Sequence, residues 1–413
     1  MEFIADFHIH SKYSRATSKD MDIQHIAEWA KIKGITLMGT GDFTHHLWLE
    51  ELKHNLEDLG NGLFKHKEIH FILSCEISSI YSKGGRGYRI HNVILAPSFK
   101  TVDKINHRLA GLGNIASDGR PILGLDAAGL ARIVFDIDEN CILIPGHIWT
   151  PWFSLFGSMS GFNKVEACFE EQTPKIFALE TGLSSDPAMN WRLSAIDRFT
   201  LVSNSDSHSP SKIGREANVF DCNLDFMTIR DVLKTKDRKR FLYTVEFFPE
   251  EGKYHFDGHR QCGVRFSPKE TKEHGGKCPK CGKGVTVGVM NRVEQLSDRP
   301  EGFKPENAIP FKNLIPLDEI IAEVRGVGRA SKAVANDYRG YIAKFGTEFD
   351  ILNKIPKDDL FKGLPKRVAE GILRVRGGQV DIKAGFDGEY GKVSIFDPKE
   401  EADNEGEKQL SLF

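Results

Sequence analysis

The sequence predicts an α/β fold: a barrel of strand–helix units over residues 1–240, joined to a small cysteine-containing module and a C-terminal helical domain. Three observations carry this. Short apolar runs alternate with amphipathic stretches through the first 240 residues, the pattern of a sheet built from β–α units. A Cys/His cluster at 259–281 interrupts that pattern. Helical periodicity resumes only at 317.

The strand-like runs are "FIADFH" (3–8), "ITLMGTGD" (35–42), "IHFILSCEIS" (69–78), "RIHNVILAP" (89–97), "CILIPGH" (141–147), "IFALETG" (176–182) and "FTLVSNSD" (199–206). Between several of them lie amphipathic stretches such as "MDIQHIAEWAKIKG" (21–34), ended by Gly34. Repeated alternation argues for a parallel sheet, and this many units favours closure into a barrel. The basic run "KTKDRKR" (234–240) ends the unit. Residues 241–297 form the next segment, rich in Gly, Lys and Cys from 255 onward. Residues 298–316 read as a linker, since "DRPEGFKPENAIPF" carries three prolines. Residues 317–396 form the helical domain, with a short hairpin expected at 384–396 around Asp387-Gly388. The acidic tail 397–413 lacks apolar periodicity and is expected to be disordered.

Among 413 residues, 56 basic side chains face 58 acidic ones, a balance that neither demands nor excludes nucleic acid. No apolar run reaches the roughly 18 residues a spanning helix needs. The N-terminal "MEFIADFHIH" lacks the basic start and apolar middle of a signal peptide. Seven cysteines, four of them scattered through apolar segments, fit a reducing cytoplasm better than a disulfide framework. A cytoplasmic, nucleoid-associated protein is expected.

Several strands finish in metal-type ligands. "DFHIH" places Asp6, His8 and His10 at alternating positions, so all three leave one strand in the same direction. "GTGDFTH" adds Asp42 and His45, and "SNSDSHS" adds Asp206 and His208. Glu76, His91 and His147 lie within or at the ends of apolar runs. One such histidine alone is usually a hydrogen-bonded core residue. A set at strand ends, where α/β sites are built, is better explained by cations that compensate the buried charge.

"DFHIHSKYS", "GTGDFTH", Glu76, "IPGH" and "SDSH" resemble the successive motifs of the PHP (polymerase and histidinol phosphatase) family. The resemblance implies a distorted seven-stranded (β/α) barrel with a two- or three-metal phosphoesterase site using Zn, Mg or Mn. It implies that His8, His10, Glu76 and Asp206 hold one metal, with Glu76 bridging to a second held by His91 and His147. His208 and the Asp42/His45 segment would reach a third. Of these, His8, His10, Glu76 and Asp206 are the expected catalytic group. Paired cations activate water and clamp a phosphoryl oxygen. The sequence offers no Walker loop and needs no Ser–His–Asp constellation.

"HRQCGVRFSPKETKEHGGKCPKCGKG" contains His259-x2-Cys262 and Cys278-x2-Cys281, a four-ligand spacing for structural zinc, with His255 or His274 as alternatives to His259. Residues 229–283 hold 14 basic and 8 acidic side chains, an excess that suits a DNA-facing module. "EVRGVGRASKAVANDYRGYIAKFG" (323–346) places Gly326 and Gly328 between helical runs beside Arg329 and Lys332. That is a helix-hairpin-helix-like turn able to offer N–H groups to a phosphate. "HIWTPWFSLFGSMSGF" (147–162) carries Trp149, Trp152 and Phe153 directly after His147, where an aromatic loop could stack an unpaired base. Glu180 and Arg192, at another strand end, are further candidates for substrate contact.

A PHP-type barrel, a Cys3His module and a helical domain ending in "GFDGEYG" resemble the endonuclease Q family. The resemblance implies nicking of DNA on the 5′ side of deaminated bases (uracil, hypoxanthine, xanthine) and abasic sites, leaving a 3′-hydroxyl and a 5′-phosphate. The terminal "QLSLF" is similar to peptides that dock on the bacterial sliding clamp. Leu410, Leu412 and Phe413 would fill an apolar cleft and Gln409 would hydrogen-bond at its rim, with the tail as tether. The rival readings are a phosphatase of the same fold acting on a small phosphomonoester, and a non-catalytic DNA-binding scaffold.

Overall fold

The computed structural model describes residues 1–396. The tail at 397–413, with Gln409, Leu410, Leu412 and Phe413, lies outside the described residues.

Strands β1 (Glu2–Asp6), β2 (Leu37–Gly39) and β3 (Ile69–Lys83) run parallel, with Ala5 opposite Leu37 and Leu37 opposite His70. Helix α1 (Ile23–Lys33) makes the first crossover. It buries Ile23, Ile26, Ala27 and Ala30 on one face, and Asp22 caps it by accepting from the His25 N–H. Helix α2 (His46–Asn55) follows β2. Strand β4 (Arg86–Ala96) then departs from the expected parallel order: it folds back antiparallel on β3, from Leu73 opposite Ala96 to Lys83 opposite Arg86. The cause is local. Gly84 and Gly85 both adopt positive φ (58° and 77°), which closes a two-residue turn and leaves no room for a crossover helix.

Helices α3 (Phe99–Ala110) and α4 (Ala127–Ile137) are capped by Ser98 and Asp126. Strand β5 (Ile142–Pro145) pairs antiparallel with β4. Strands β6 (Ala178–Glu180) and β7 (Thr200–Val202) pair in parallel, and a bridge between Ile9 and Ser207 returns the chain beside the end of β1. These seven strands overlap the seven apolar runs. β6 and β7 form a two-stranded sheet of their own, and the main sheet, which is mixed, extends beyond the other five. β8 (Ala217–Asp221) pairs antiparallel with β1, and β9 (Phe241–Glu246) pairs antiparallel with β8, with α5 (Phe226–Thr235) between them in sequence. Phe3, Phe7, Leu37, Ile72, Val93, Ile144, Val202 and Phe220 gather with Phe226, Ile229 and Val232 of α5 in one apolar cluster. Each such burial contributes about 1.5–3 kcal/mol.

The hairpin β10 (Asp257–His259) and β11 (Val264–Phe266) opens the cysteine-containing module, and α6 (Val289–Leu296) closes it. Two expected boundaries shift. Residues 241–246, assigned by composition to the module, are β9 of the main sheet. β12 (Phe311–Asn313), from the expected linker, pairs in parallel with β9 from Thr244 to Glu246. The buried Phe241 and Val245 require that sheet environment.

The helical domain contains α7 (Leu317–Arg325), α8 (Lys332–Phe345), α9 (Lys357–Gly363) and α10 (Lys366–Arg376). The closing hairpin pairs β13 (Asp381–Lys383) with β14 (Lys392–Ser394). Its tip docks on the metal module, where Asp387 accepts from the Arg260 N–H (2.7 Å) and the Thr286 hydroxyl (2.6 Å). Among the described residues no helix is long and apolar enough to cross a membrane.

Candidate metal centre

His8 and His10 leave β1, Glu76 sits mid-β3, His91 lies on β4, His147 follows β5 and Asp206 follows β7. The fold brings these six together. One oxygen or nitrogen from each of His8, His10, Glu76 and Asp206 falls within 4.8 Å of the others, and the same holds for Glu76, His91 and His147. Glu76 belongs to both sets. His10 Nε2 lies 3.2 Å from Glu76 Oε2 and 3.1 Å from Asp206 Oδ1; His91 Nδ1 lies 2.6 Å from Glu76 Oε1.

The residues fit a pair of divalent cations. His8 Nε2, His10 Nε2 and Asp206 Oδ1 are buried and have no hydrogen-bond partner, a cost that native proteins seldom tolerate without a ligand. Meanwhile the opposite ring nitrogens are held. His8 Nδ1 lies 3.0 Å from Glu180 Oε1, His10 Nδ1 3.0 Å from Asp42 Oδ1, and His147 Nδ1 3.1 Å from Thr150 Oγ1. A proton fixed on the outer nitrogen leaves the inner one free to coordinate. Backbone strain concentrates here too: Asp42, His147, Phe153 and Asp206 all have positive φ, between 29° and 62°. Such residues persist only where their surroundings over-determine them.

Burial opposes charge on every group, and the neighbours decide the outcome. Burial pushes His91 down to about 4 despite Glu76 beside it. For His8 and His10 burial is outweighed by carboxylates, chiefly Glu180 and Asp42 respectively, and both rise well above the usual histidine value. Glu76 and Asp206 would be raised by burial, yet both are held low. His91 and Arg120 do this for Glu76, and His10 and His8 for Asp206.

A third ligand set does not assemble among the described residues. Asp42 is saturated: besides His10 it accepts from the Ser11 N–H (2.6 Å), the Ser11 hydroxyl (2.7 Å) and the Ser14 hydroxyl (2.9 Å). His45 instead stacks on Tyr13 at 4.4 Å. His208 lies over His10 at 4.4 Å, its Nδ1 bonded to the Asp206 carbonyl. Glu180, expected at the substrate, is fully buried behind His8, and it also accepts from the His147 N–H (2.8 Å) and Asn204 (2.8 Å). Its role is orientation.

A family model described as the MJ0043 C-terminal domain matches residues 316–379. The MJ0043 protein of Methanocaldococcus jannaschii is 34% identical over 62% of the chain, which spans about a third (33%) of that relative's length. YqxK of Bacillus subtilis is 30% identical over 94% of the chain and 98% of its own. The lesion-specific endonuclease PfuEndoQ from Pyrococcus furiosus is similar with a TM-score of 0.86 at 32% identity, covering 95% of both chains. A structure of endonuclease Q with a 27-mer duplex substrate carrying an abasic lesion at the active site matches with a TM-score of 0.84 at 32% identity. It covers 96% of this chain and 97% of that one. The chain belongs to the endonuclease Q family.

In this endonuclease Q family member the second cluster is His259, Cys262, Cys278 and Cys281, again within 4.8 Å. His259 Nδ1 lies 3.6 Å from Cys281 Sγ. Burial disfavours the Cys278 thiolate, but the N–H groups of Lys280 and Cys281 bring the thiol down to about 6. Neither alternative histidine joins: His255 is buried apart from the cluster and His274 stacks on Phe266.

The aromatic loop divides. Trp149 is core, its indole N–H bonded to Asn190 Oδ1 (2.8 Å), whereas Trp152 is 41% exposed. Phe153 packs against His91 at 4.9 Å. Arg192 lies away from the cluster, paired with Glu294 and Ser297 of the α6 segment. In the turn after α7, Gly326 caps the helix and Gly328 faces open space. Arg329 is engaged by Asp318 and Glu319, while Lys332 stays exposed. Sequence reasoning missed Arg120, whose Nη1 lies 3.1 Å from Glu76 Oε2. It stands in an irregular loop that no motif marks.

Proposed function

We propose that this chain is a divalent-metal-dependent endonuclease that nicks DNA on the 5′ side of deaminated bases (uracil, hypoxanthine, xanthine) and abasic sites. The observation that carries the reading is Glu76, shared by two ligand sets, in the first of which the inner nitrogens of His8 and His10 lack partners. Membership of the endonuclease Q family and the likeness to a complex with an abasic duplex support the substrate class.

Cations held there (Zn, Mg or Mn) would supply an activated water and neutralise charge on the phosphodiester. The chain does the rest. His8, His10, Glu76 and Asp206 define one position, and Glu76, His91 and His147 the other. Glu180, Asp42 and Thr150 keep ring protons on the outer nitrogens. Asp206 is about a quarter exposed (26%), so substrate can reach it. The water oxygen bonds to phosphorus as the bond to the 3′-oxygen breaks. The water's proton balances the leaving oxygen, so the products are a 3′-hydroxyl and a 5′-phosphate. Trp152 and Phe153 are the residues offered to an extruded base, and Lys332 with the Gly326–Gly328 turn to a distant phosphate.

The Cys3His cluster is read as a structural zinc site, since four ligands leave no open position. The C-terminal Gln409–Phe413 is read as a tether to a sliding clamp. Deletion of 409–413 should abolish clamp binding, and unchanged affinity would end that idea.

The test is a labelled duplex carrying one dU, dI or abasic site, incubated with protein and each metal. A single 5′ nick supports the proposal. An intact duplex with phosphate release from monoesters replaces it with the phosphatase reading; a gel shift without cleavage replaces it with the scaffold reading.

A further inference from the structure

The geometry points to Arg120 as a catalytic residue that grips the scissile phosphate. This rests on the endonuclease reading of the same site.

Three observations place it there. Its guanidinium meets Glu76, the shared ligand, at 3.1 Å, yet its side chain remains 30% exposed and so can be reached by substrate. Its backbone is pinned on both sides: the Gly119 N–H donates to the Tyr13 carbonyl (3.1 Å) and the Ser78 N–H donates to the Pro121 carbonyl (3.0 Å). The preceding residue also admits no side chain. A Cβ on Gly119 would fall 2.3 Å from Asp42 Oδ2 and 2.4 Å from Ser14 Oγ. The loop is therefore pressed against the carboxylate that orients His10, and Arg120 has a fixed point of departure.

The charge balance supplies the reason. The six ligands contain four imidazoles and only two carboxylates, Glu76 and Asp206. Loaded with two divalent cations, such a set carries excess positive charge, and a guanidinium beside it adds to that excess. The arrangement is matched by an anion. A phosphodiester oxygen is the anion this site receives, and Arg presents a planar fork suited to two phosphate oxygens. As negative charge grows on those oxygens in the transition state, a preplaced donor gains strength.

The experiment compares wild type, Arg120→Met and Arg120→Lys, all metal-loaded, on an abasic duplex. Metal content by mass spectrometry and binding of inorganic phosphate by calorimetry are read in parallel. The expected result for Arg120→Met is a kcat roughly 10²–10³-fold lower, as for loss of one transition-state donor. Metal stoichiometry should be retained, phosphate affinity weakened and duplex KM little changed. Arg120→Lys should recover part of kcat, because the charge returns without the fork. Undiminished kcat in Arg120→Met overturns the inference. So does a loss of metal that excess metal repairs together with activity, since Arg120 would then serve only the ligands. If wild type nicks no duplex, the endonuclease reading fails, and the phosphate titration still decides Arg120: equal affinity in wild type and Arg120→Met removes it.

Discussion

Lys33 and Glu348 form an almost completely buried ion pair, with Lys33 Nζ 2.6 Å from Glu348 Oε2 and side-chain exposures of 5% and 4%. Lys33 is the last residue of α1, the first helix of the main sheet. Glu348 follows α8 and also accepts from the Leu317 N–H (3.0 Å) and the Tyr338 hydroxyl. One carboxylate thus fastens two helices of the C-terminal domain to α1.

Removing one partner of such a pair strands the other charge in a dry site, at a cost of about 3–5 kcal/mol. Lys33→Met should therefore destabilise the chain by that amount in urea unfolding. Lys33→Met/Glu348→Gln should cost less than the sum of its single variants, because no charge is then stranded. Additive losses would mean the two side chains are energetically independent.

The carboxylates behind the histidines should matter nearly as much as the ligands. Glu180→Ala and Asp42→Ala leave every ligand in place but release the rings of His8 and His10. Metal affinity should fall about 10–100-fold, read by competition with a chelating dye. Affinity in the wild type should also rise with pH. His8 and His10 are raised well above the usual value in the metal-free protein, and coordination must displace those protons. Proton release measured in buffers of different ionisation enthalpy checks this, and unchanged affinity in both variants would make the two contacts ornamental.

Glu246 on β9 sets a pH dependence of stability that is independent of the metals. It accepts from the hydroxyls of Thr244 (2.5 Å), Thr181 (3.0 Å) and Ser203 (3.1 Å). Burial, and then Asp186, push its pKa from 4.5 to about 8 against those hydrogen bonds. The folded chain keeps a proton that the unfolded chain has released. The stabilisation is therefore complete below 4.5 and is lost as pH rises towards 8. Glu246→Gln, permanently neutral, should show a smaller fall in Tm between those limits than wild type. Equal slopes would show that Glu246 does not titrate there.

What could be read beforehand follows the range of the interactions. The strand-end cluster was legible in part because a period of two places His8 with His10 on one side of one strand. The Cys278/Cys281 turn was legible from its short local spacing. Glu180 and Arg192 were recognised as polar strand-end residues but given the wrong neighbours, because the partners that claim them, His8 and Glu294, are remote in sequence. Trp149 looked like an exposed stacking residue until Asn190 met its indole N–H. Arg329 looked free for phosphate, but the chain reverses at Gly326 and returns it to Asp318 and Glu319. β8 and β9 are short segments whose strand character comes from pairing to β1 and to each other. Arg120 had no local signal at all.

Arg292, on α6, donates from Nε to the Phe156 carbonyl (2.9 Å) and from Nη2 to the Phe162 carbonyl (3.1 Å) and Asn163 Oδ1 (2.7 Å). These acceptors are the root of the loop bearing Trp152 and Phe153. The start of α6 is itself held by Asp257, which accepts from the Gly288 N–H (2.6 Å) and from Asn291 and lies two residues before His259 on the same strand. Module, helix and aromatic loop therefore form one mechanical chain. Arg292→Ala should loosen the loop while leaving the six candidate ligands around Glu76 untouched. A misplacement of about 1 Å near reacting atoms costs on the order of 10²-fold, so nicking of an abasic duplex should fall by about that factor with barrel metal content unchanged. Limited proteolysis should find new cleavage within 150–161. Cys281→Ser, which removes a ligand from the module, should lower the metal count and reproduce the same kinetic defect. If Arg292→Ala nicks normally and resists protease as wild type does, the module holds its shape for some other reason than positioning this loop.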